Sequence, residues 1–367
     1  MKSLYIHIPF CDKKCFYCSF VIAVGQRHRV SQYLEALAKE ASLYKGTKVD
    51  SVYIGGGTPT FLDEKALSNL FAMIRNNFEF DWAQECTIEA NPEGLDVAKL
   101  KLLKNLGVNR VSLGVQSLND QYLKYLGRNH DAKKASMAFE TIRRAGFDNV
   151  SVDLMYGFPN QTLPELESDV RQLAEWQSEH LSLYTLTIEE HSRFFVKDIQ
   201  TPSGAMAVKH YELVTKILAE NSFLQYEISN FAKKDKESRH NLNYWQGGDY
   251  IGLGVGAHSH LNGKRFWNVS RFMDYLKKME ANQLPIEGSE ELSPEKRLME
   301  TFLFGLRMNQ GINVDGLEDR FQYTIDFERR QKIEDFIKEN YLRREGNHLQ
   351  VTPQGRLVLD ELSARLI

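Results

Sequence analysis

The sequence of 367 residues has little cysteine, no excess of basic residues and no long apolar run. Lys and Arg total 46 against 49 Asp and Glu, a formal net charge of −3, so the chain lacks the positive charge typical of proteins held by phosphate backbones. Nucleic acid is therefore not an expected partner. No apolar run approaches the roughly 20 residues of a membrane span, and MKSLYIHIPFCDKKC lacks the apolar stretch of a secretory signal. We expect a cytoplasmic protein.

Four cysteines are too few for a disulfide scaffold, yet three of them fall in the short segment CDKKCFYC after the first predicted strand. Cys11, Cys15 and Cys18 supply thiolates, which select soft metals and iron–sulfur clusters. A 4Fe-4S cluster held by three cysteines leaves one iron free for a chelating small molecule. Structural zinc is the alternative, because His7 would complete its four ligands. Cys86, in an apolar stretch, is predicted to be a small buried residue without a function.

Short β-branched runs alternate with helical periodicity through the first half of the chain, which predicts six β-α units. Such units imply parallel strands with right-handed crossovers, and near-continuous apolar strands fit a sheet covered on both faces. An open doubly wound sheet and a barrel both satisfy this pattern. The unusual residues follow the strands, whose carboxyl ends converge at one mouth in a barrel. The sequence therefore favours an α/β fold built on a partial (β/α)6 TIM-type barrel.

A different pattern of secondary structure begins near LSPEKRLMETFLFGL. Amphipathic helices, two short strands and a final helix predict a small winged-helix-like α+β domain. We place the boundary so that residues 1–287 form the barrel domain, including the segment HNLNYW, and residues 288–367 form the C-terminal domain. Winged helices often bind DNA, but this segment carries little net positive charge, so nucleic-acid binding is not expected.

The spacing Cys-x3-Cys-x2-Cys, with Tyr17 before the last cysteine, resembles the signature of radical S-adenosylmethionine (SAM) enzymes. YIHIPFC, IGGGTPT, EANP, SLGVQS, LGRNH and VDLMYG extend the resemblance to the branch of the oxygen-independent coproporphyrinogen III oxidases, over most of residues 1–200. The resemblance implies a radical SAM barrel in which Cys11, Cys15 and Cys18 hold a 4Fe-4S cluster and SAM binds at its open iron. A reduced cluster would cleave SAM to a 5′-deoxyadenosyl radical, chemistry that belongs to the cofactor.

The resemblance also implies ten residues that contact SAM. Glu89 would counter the SAM ammonium, Arg128 would pair with its carboxylate, and Gln116 or Asp153 would bond the ribose hydroxyls. The GGGTP segment would let backbone approach the amino group closely, as only glycine can. The full set is Tyr5, Tyr17, Gly56, Gly57, Thr58, Glu89, Gln116, Arg128, Asp153 and Thr187.

A nucleotide-binding dehydrogenase is the competing enzyme class. It is suggested by GGGTP and by Gly252-x-Gly254-x-Gly256. Neither segment completes G-x-G-x-x-G, and the second opens no helix followed by an acidic residue at the required distance. The dehydrogenase is therefore disfavoured.

Radical oxidases of coproporphyrinogen III and heme chaperones have similar sequences within this branch, and two departures favour the chaperone. The oxidase pattern continues to a fourth cysteine two residues after the third, where this chain has Phe20. The oxidase also carries an N-terminal extension that helps to enclose its substrate, whereas the first cysteine here is Cys11. A site without that cover is less suited to protecting a substrate radical.

The segment HNLNYW, which begins at His240, resembles the HNxxYW segment of the heme chaperones. An imidazole can ligate heme iron, aromatic rings can pack against the macrocycle, and Arg239 could pair with a propionate. His258, in GAHSH, is a second candidate ligand. The resemblance implies a chaperone that delivers heme to an apo-haemoprotein. It further implies a respiratory acceptor, peripheral membrane contact through that acceptor, and a homodimer. Coproporphyrinogen III oxidase (dehydrogenase) activity is the alternative.

Overall fold

The computed structural model describes residues 1–366 and is built on a twelve-stranded sheet. The first six strands are parallel, and each pairs with the next. The strands of this sheet are β1 (Lys2–Ile8), β2 (Ser51–Gly56), β3 (Cys86–Ala90), β4 (Arg110–Gln116), β5 (Val150–Tyr156), β6 (His180–Thr185), β7 (Leu224–Gln225), β8 (Asn230–Ala232), β9 (Asp249–Leu253), β10 (His258–Leu261), β11 (Lys264–Asn268) and β12 (Ile286–Glu291).

Helices connect the parallel strands and cover their outer face. Asp63, Asp96 and Asp131 precede three of these helices, and each accepts a hydrogen bond from the amide three residues later, which satisfies a free helix N–H. The helices of residues 1–291 are α1 (Val30–Ser42), α2 (Glu64–Asn77), α3 (Val97–Asn105), α4 (Asp120–Leu126), α5 (Ala132–Arg144), α6 (Leu163–Glu175), α7 (Arg193–Val196), α8 (Gly204–Glu220), α9 (Arg239–Trp245) and α10 (Phe272–Glu280), with 3-10 turns at Arg27–Arg29 and Pro59–Phe61.

The six parallel strands form a partial barrel, as predicted. The order across the sheet is β7-β8-β6-β5-β4-β3-β2-β1-β9-β10-β11-β12, so β6 and β1 each have other neighbours and do not close a ring. Two short parallel pairs lie outside this sheet: Phe10–Cys11 with Ala23–Val24, and Thr47–Val49 with Phe78–Phe80.

The parallel strands alternate in polarity, which corrects the expectation of near-continuous apolar strands. On β1, Leu4 and Ile6 are 0% exposed in the core shared with the helices, whereas Tyr5 and His7 line an interior cavity. The same alternation places polar residues inside the barrel on the other five strands, because side chains on a strand alternate between its two faces. These residues include Tyr53, Glu89, Ser112, Asp153 and Ser182.

The aromatic, glycine-rich segment after residue 240 extends the barrel sheet beyond β1. β9 pairs parallel with β1, and antiparallel β10, β11 and β12 follow. A Cβ on Gly252 would lie 2.0 Å from the carbonyl oxygen of His258, and Gly254 and Gly256 have φ of +101° and +66°. These glycines therefore allow close packing and a tight turn, rather than forming the dinucleotide loop of a dehydrogenase.

The C-terminal residues form the predicted small α+β unit. Its hydrophobic core includes Phe302, Phe336 and Leu349, each 0% exposed. The strand order is β13-β15-β14, all antiparallel. The elements are α11 (Pro294–Gly305), β13 (Ile312–Asn313), α12 (Val314–Phe321), α13 (Phe327–Lys338), β14 (Leu342–Glu345), β15 (His348–Val351), α14 (Pro353–Arg356) and α15 (Leu359–Leu366).

The expected domain boundary at residue 288 lies inside β12. Gly288 pairs with Trp267 of β11, so the backbone is still part of the barrel sheet at this point. We therefore propose that the C-terminal domain begins after Glu291. Within residues 1–366, the helices are too short or too polar to span a membrane.

Candidate cofactor site

The carboxyl ends of the parallel strands surround a cavity of about 590 Å³. All three clustered cysteines line it. Tyr5 is the one residue of the predicted SAM set that does not, since it lies in a neighbouring cavity. The other nine do: Tyr17, Gly56, Gly57, Thr58, Glu89, Gln116, Arg128, Asp153 and Thr187.

The cysteines lie on the loop that follows β1. The amide of Cys18 donates to the carbonyl of Cys15 at 3.3 Å, and Sγ of Cys11 lies 3.4 Å from Oγ1 of Thr58. All four cysteines of the chain are free thiols. Burial raises the pKa of the Cys11 thiol to about 11. The thiol is therefore neutral by itself, and binding a cation there would release its proton.

The donor set fits an iron–sulfur cluster better than the zinc alternative. His7, the fourth ligand that zinc would need, is 5% exposed. Its Nε2 donates to the carbonyl of Val21 at 2.7 Å, which leaves Nδ1 to accept from the hydroxyl of Tyr5 at 3.0 Å. Among residues 1–366, no three His, Cys, Asp or Glu side chains converge on a point that would hold a single ion. Three thiols on the wall of a wide cavity can instead hold separate corners of a cluster.

Arg128 connects the cysteine loop to two strand ends. Its Nη2 donates to Oδ1 of Asn91 and to the carbonyl of Gly114, both at 2.7 Å, and its Nη1 lies 3.7 Å from Sγ of Cys15. Asn91 in turn donates to Oγ1 of Thr58 at 2.8 Å. These contacts occupy N–H groups on Nη1 and Nη2 of the guanidinium. The predicted pairing with the SAM carboxylate would therefore use the N–H groups that remain.

Glu89 is the carboxylate at the centre of the cavity wall. It accepts hydrogen bonds from the amide of Gly56 at 2.9 Å and from the hydroxyl of Tyr53 at 2.8 Å. Burial raises the pKa of Glu89 to about 7, and the nearby carboxylate of Asp153 adds to this effect. A ligand ammonium beside Glu89 would favour the ionised form.

The GGGTP segment is glycine-rich because of contacts within the protein. Gly56 has φ of +112°, and a Cβ there would lie 2.6 Å from the ring of His7. A Cβ on Gly57 would lie 2.8 Å from the backbone of Pro9. The amide of Gly57 already donates to the carbonyl of Ile8 at 2.8 Å. The predicted contact with an ammonium would therefore use carbonyl oxygens of this segment.

Gln116 and Asp153 lie on neighbouring strands of the cavity wall. A β-bulge interrupts the register of β4 between Gly114 and Gln116, and Gln116 has φ of 70°. Left-handed backbone in a residue other than glycine is costly and occurs most often at functional sites. Asp153 accepts a hydrogen bond from Ser112 at 3.2 Å, and burial raises the pKa of its carboxyl to about 6.

A second cavity of about 430 Å³ adjoins the first, and the two share Ser19, Phe20, Tyr53 and Asn241. Its walls are largely aromatic. Phe20 is 64% exposed at its edge, and the rings of Tyr5 and Tyr53 stack with centroids 6.2 Å apart. The other ring side chains of this wall are His7, His240, Tyr244, Tyr250 and His258.

The two histidines proposed as heme ligands have different environments. His240 is 1% exposed; its Nδ1 lies 3.0 Å from Oγ of Ser51 and its Nε2 lies 2.9 Å from the hydroxyl of Tyr244. Both ring nitrogens are therefore engaged. His258 is exposed, and its ring stacks on Trp267 with centroids 5.9 Å apart.

Arg239, expected near a propionate, lines neither cavity. Its side chain donates to Gln84, and its amide donates to Glu85 at 2.8 Å. Arg110 and Tyr184 line the first cavity but were not selected from the sequence. Arg110 begins β4 and Tyr184 lies near the end of β6, and no pattern in the neighbouring sequence indicates that their side chains face the barrel interior.

Replacing Glu89 by glutamine should change how stability depends on pH. The pKa of Glu89 rises from 4.5 to about 7 on folding, so the folded chain retains a proton that the unfolded chain releases. The free energy of unfolding of the cluster-free protein should therefore fall as pH rises from about 4.5 to 7. In Glu89→Gln, this fall in the free energy of unfolding should be smaller by on the order of 1 kcal/mol. Urea denaturation at several pH values measures it.

Glu93→Gln provides a control of opposite sign. Although burial would raise the pKa of Glu93, the hydrogen bond from His130 and nearby charges lower it to about 2. Glu93 therefore stabilises the fold above pH 4.5, and this contribution is lost as the pH falls toward 2. Identical pH profiles for the wild type and Glu89→Gln would contradict the assignment of a retained proton to Glu89.

Comparison with known proteins shows similarity along the whole chain. A family model described as the radical SAM superfamily matches residues 5–173, and one described as the HemN C-terminal domain matches residues 292–358. A curated protein named heme chaperone HemW from Bacillus subtilis (strain 168) is 35% identical over 371 residues, covering 99% of this chain and 98% of that protein. The proteins of the same name from Lactococcus lactis (strain IL1403) and Escherichia coli (strain K12) are 34% and 32% identical and cover 96% and 98% of this chain, and 94% and 96% of their own lengths.

Among solved structures, coproporphyrinogen III oxidase (HemN) from Escherichia coli, described as a radical SAM enzyme, matches with a TM-score of 0.87. The match covers 100% of this chain and 89% of that chain at 24% sequence identity. At this level of identity the match establishes the shared fold alone.

Proposed function

This chain belongs to the radical SAM superfamily, in the family of the HemW heme chaperones that it matches over nearly its whole length, and we propose that it is a heme chaperone. It binds a 4Fe-4S cluster, SAM and heme, and it delivers heme to acceptor haemoproteins. The observation that carries this proposal is the adjacency of two cavities, one lined by three free cysteines and one lined by aromatic rings, which share Tyr53 and Phe20.

In this proposal Cys11, Cys15 and Cys18 would hold the cluster, which would supply reducing chemistry to bound SAM. Glu89 faces the SAM ammonium. Arg128 orders the cysteine loop through its contacts with Asn91 and Cys15. The other residues of the predicted SAM set on the cavity wall orient the ligand. Tyr5, in the adjoining cavity, supports Tyr53 by ring stacking.

Heme would bind in the aromatic cavity, where His258 would ligate its iron in preference to His240. Although His258 is exposed, partial burial of its ring and, to a lesser degree, the charge of Arg265 lower its pKa, which favours the neutral imidazole that binds iron. Stacking on Trp267 orients the ring. His240 has both nitrogens hydrogen-bonded and supports the cavity floor. Phe20, in place of a fourth cysteine, offers an exposed apolar ring to the macrocycle.

The proposal includes a cytoplasmic location, since free thiols persist in a reducing compartment. A homodimer, and a respiratory acceptor reached at the membrane surface, remain predictions of the family resemblance.

A transfer assay tests this function against the oxidase alternative. The anaerobically reconstituted protein, loaded with heme, should pass heme to an apo-haemoprotein, followed by the absorption spectrum of the acceptor after separation. The same preparation with SAM, a reductant and coproporphyrinogen III should form no protoporphyrinogen at a catalytic rate. Catalytic turnover, or failure to transfer heme to any apo-haemoprotein while free heme does transfer, would reject the chaperone.

A further inference from the structure

Arg110 is a buried cation at the floor of the barrel. It is the first residue of β4, it lines the cysteine-side cavity, and it is 2% exposed. Gln116, at the other end of the strand, marks the mouth. Six residues of strand separate the two by roughly 20 Å, so Arg110 lies well away from the cysteine loop.

Arg110 has too few partners for a buried guanidinium. In the described part of the chain, its one hydrogen bond is a long contact from Nη1 to Oγ1 of Thr87 at 3.5 Å. Its Nε is buried without a partner, and no carboxylate of residues 1–366 forms an ion pair with it. A buried charge is costly unless it is paired and hydrogen-bonded, so this arrangement is incomplete without a further acceptor.

The nearest acidic residues compensate Arg110 only in part. Burial raises the pKa of Glu89 to about 7 and of Asp153 to about 6, although the charge of Arg110 favours the ionised form of Asp153. Neither carboxylate is hydrogen-bonded to the guanidinium among the described residues. The field of Arg110 also extends into the aromatic cavity. Burial is the main cause that lowers the pKa of His240, a residue of that cavity's wall, and the positive charge of Arg110 is the second.

We propose that Arg110 binds a carboxylate of the ligand in the aromatic cavity. This inference rests on the proposed function: the carboxylate is a propionate of heme, which extends past Tyr53 to the guanidinium. The side chain of Tyr53 lines both cavities, so it borders the passage between them. This contact takes the role that the sequence suggested for Arg239, which lines neither cavity. A fork of N–H donors facing a carboxylate is the pairing that arginine makes best.

Heme and its dimethyl ester, which lacks both propionate charges, provide the test. Titrated into the cluster-loaded wild type and followed by the Soret band, heme should bind roughly tenfold or more tightly than the ester. Arg110→Met should bind the two ligands with nearly equal affinity, and Arg110→Lys should recover part of the preference. Arg143→Met, which removes a partly buried arginine paired with Glu179 outside both cavities, is the matched control and should keep the preference.

The outcomes separate the two proposals. Equal binding of heme and ester by the wild type would overturn the role of Arg110 and leave the chaperone function standing. A preference that persists in Arg110→Met would overturn it as well. If Arg110→Met does not fold, Arg110→Lys and the wild-type ratio decide the question. Failure of the wild type to bind either ligand would instead reject the proposed function.

Discussion

Replacing Cys15 by serine is expected to abolish the iron–sulfur cluster and, with it, high-affinity SAM binding. The cavity offers three thiols, and a hydroxyl is a poor ligand for the soft iron–sulfur core. The variant should lose the charge-transfer absorption of the cluster and its stoichiometric iron and sulfide. Its affinity for SAM should fall by ~100-fold or more, because the predicted binding site includes the cluster iron. Equilibrium dialysis with labelled SAM measures this loss.

Cys86→Ala is the matched control for the cysteine variant. Cys86 is 0% exposed within the barrel core, as its apolar surroundings predicted. Removing its sulfur should lower the free energy of unfolding by about 1 kcal/mol through a small cavity, while iron, sulfide and SAM binding remain at wild-type levels. A full cluster in Cys15→Ser, or loss of the cluster in Cys86→Ala, would contradict the assignment of the three clustered cysteines.

The two histidine variants should separate heme ligation from support of the fold. His258→Ala should weaken heme binding at least about tenfold and shift the Soret band, because it removes the iron ligand. His240→Ala should retain heme with an unchanged Soret maximum. It should lower the free energy of unfolding by roughly 2 to 4 kcal/mol, because Ser51 and Tyr244 lose a buried hydrogen-bond partner and a cavity forms.

Heme titrations and urea denaturation of both variants measure these effects. The opposite pattern would return the ligand role to His240: a lost Soret band in His240→Ala at wild-type stability, with normal heme binding in His258→Ala. His258→Gln, which retains a polar side chain of similar length without an imidazole, controls for solvation of the exposed site. It should behave like His258→Ala.

Much of the fold was predictable because its signals are local. Each β-α unit has its own periodicity, and Asp caps precede three of the helices in the structure. The grouping of Glu89, Gln116 and Asp153 in one cavity also follows from one topological rule, since carboxyl ends of parallel strands meet at one mouth.

The remaining features depend on contacts between residues far apart in sequence. His240 resembles a free ligand in its motif, but its Nδ1 is hydrogen-bonded to Ser51 on β2, which only the folded chain brings near. The pairing of β9 with β1 likewise joins Asp249 to Lys2. The interior position of Arg110 depends on strand register and barrel closure. Short sequence patterns carry no information of this kind.

Mössbauer spectroscopy of anaerobically purified, ⁵⁷Fe-labelled protein tests the central claim most directly. The account predicts a 4Fe-4S cluster in the wild type, with one iron whose signal changes when SAM is added. It also predicts that adding SAM to a preparation without the cluster leaves the Mössbauer spectrum unchanged. Stoichiometric zinc with no iron–sulfur signal, or a cluster whose four irons are all unaffected by SAM, would contradict it.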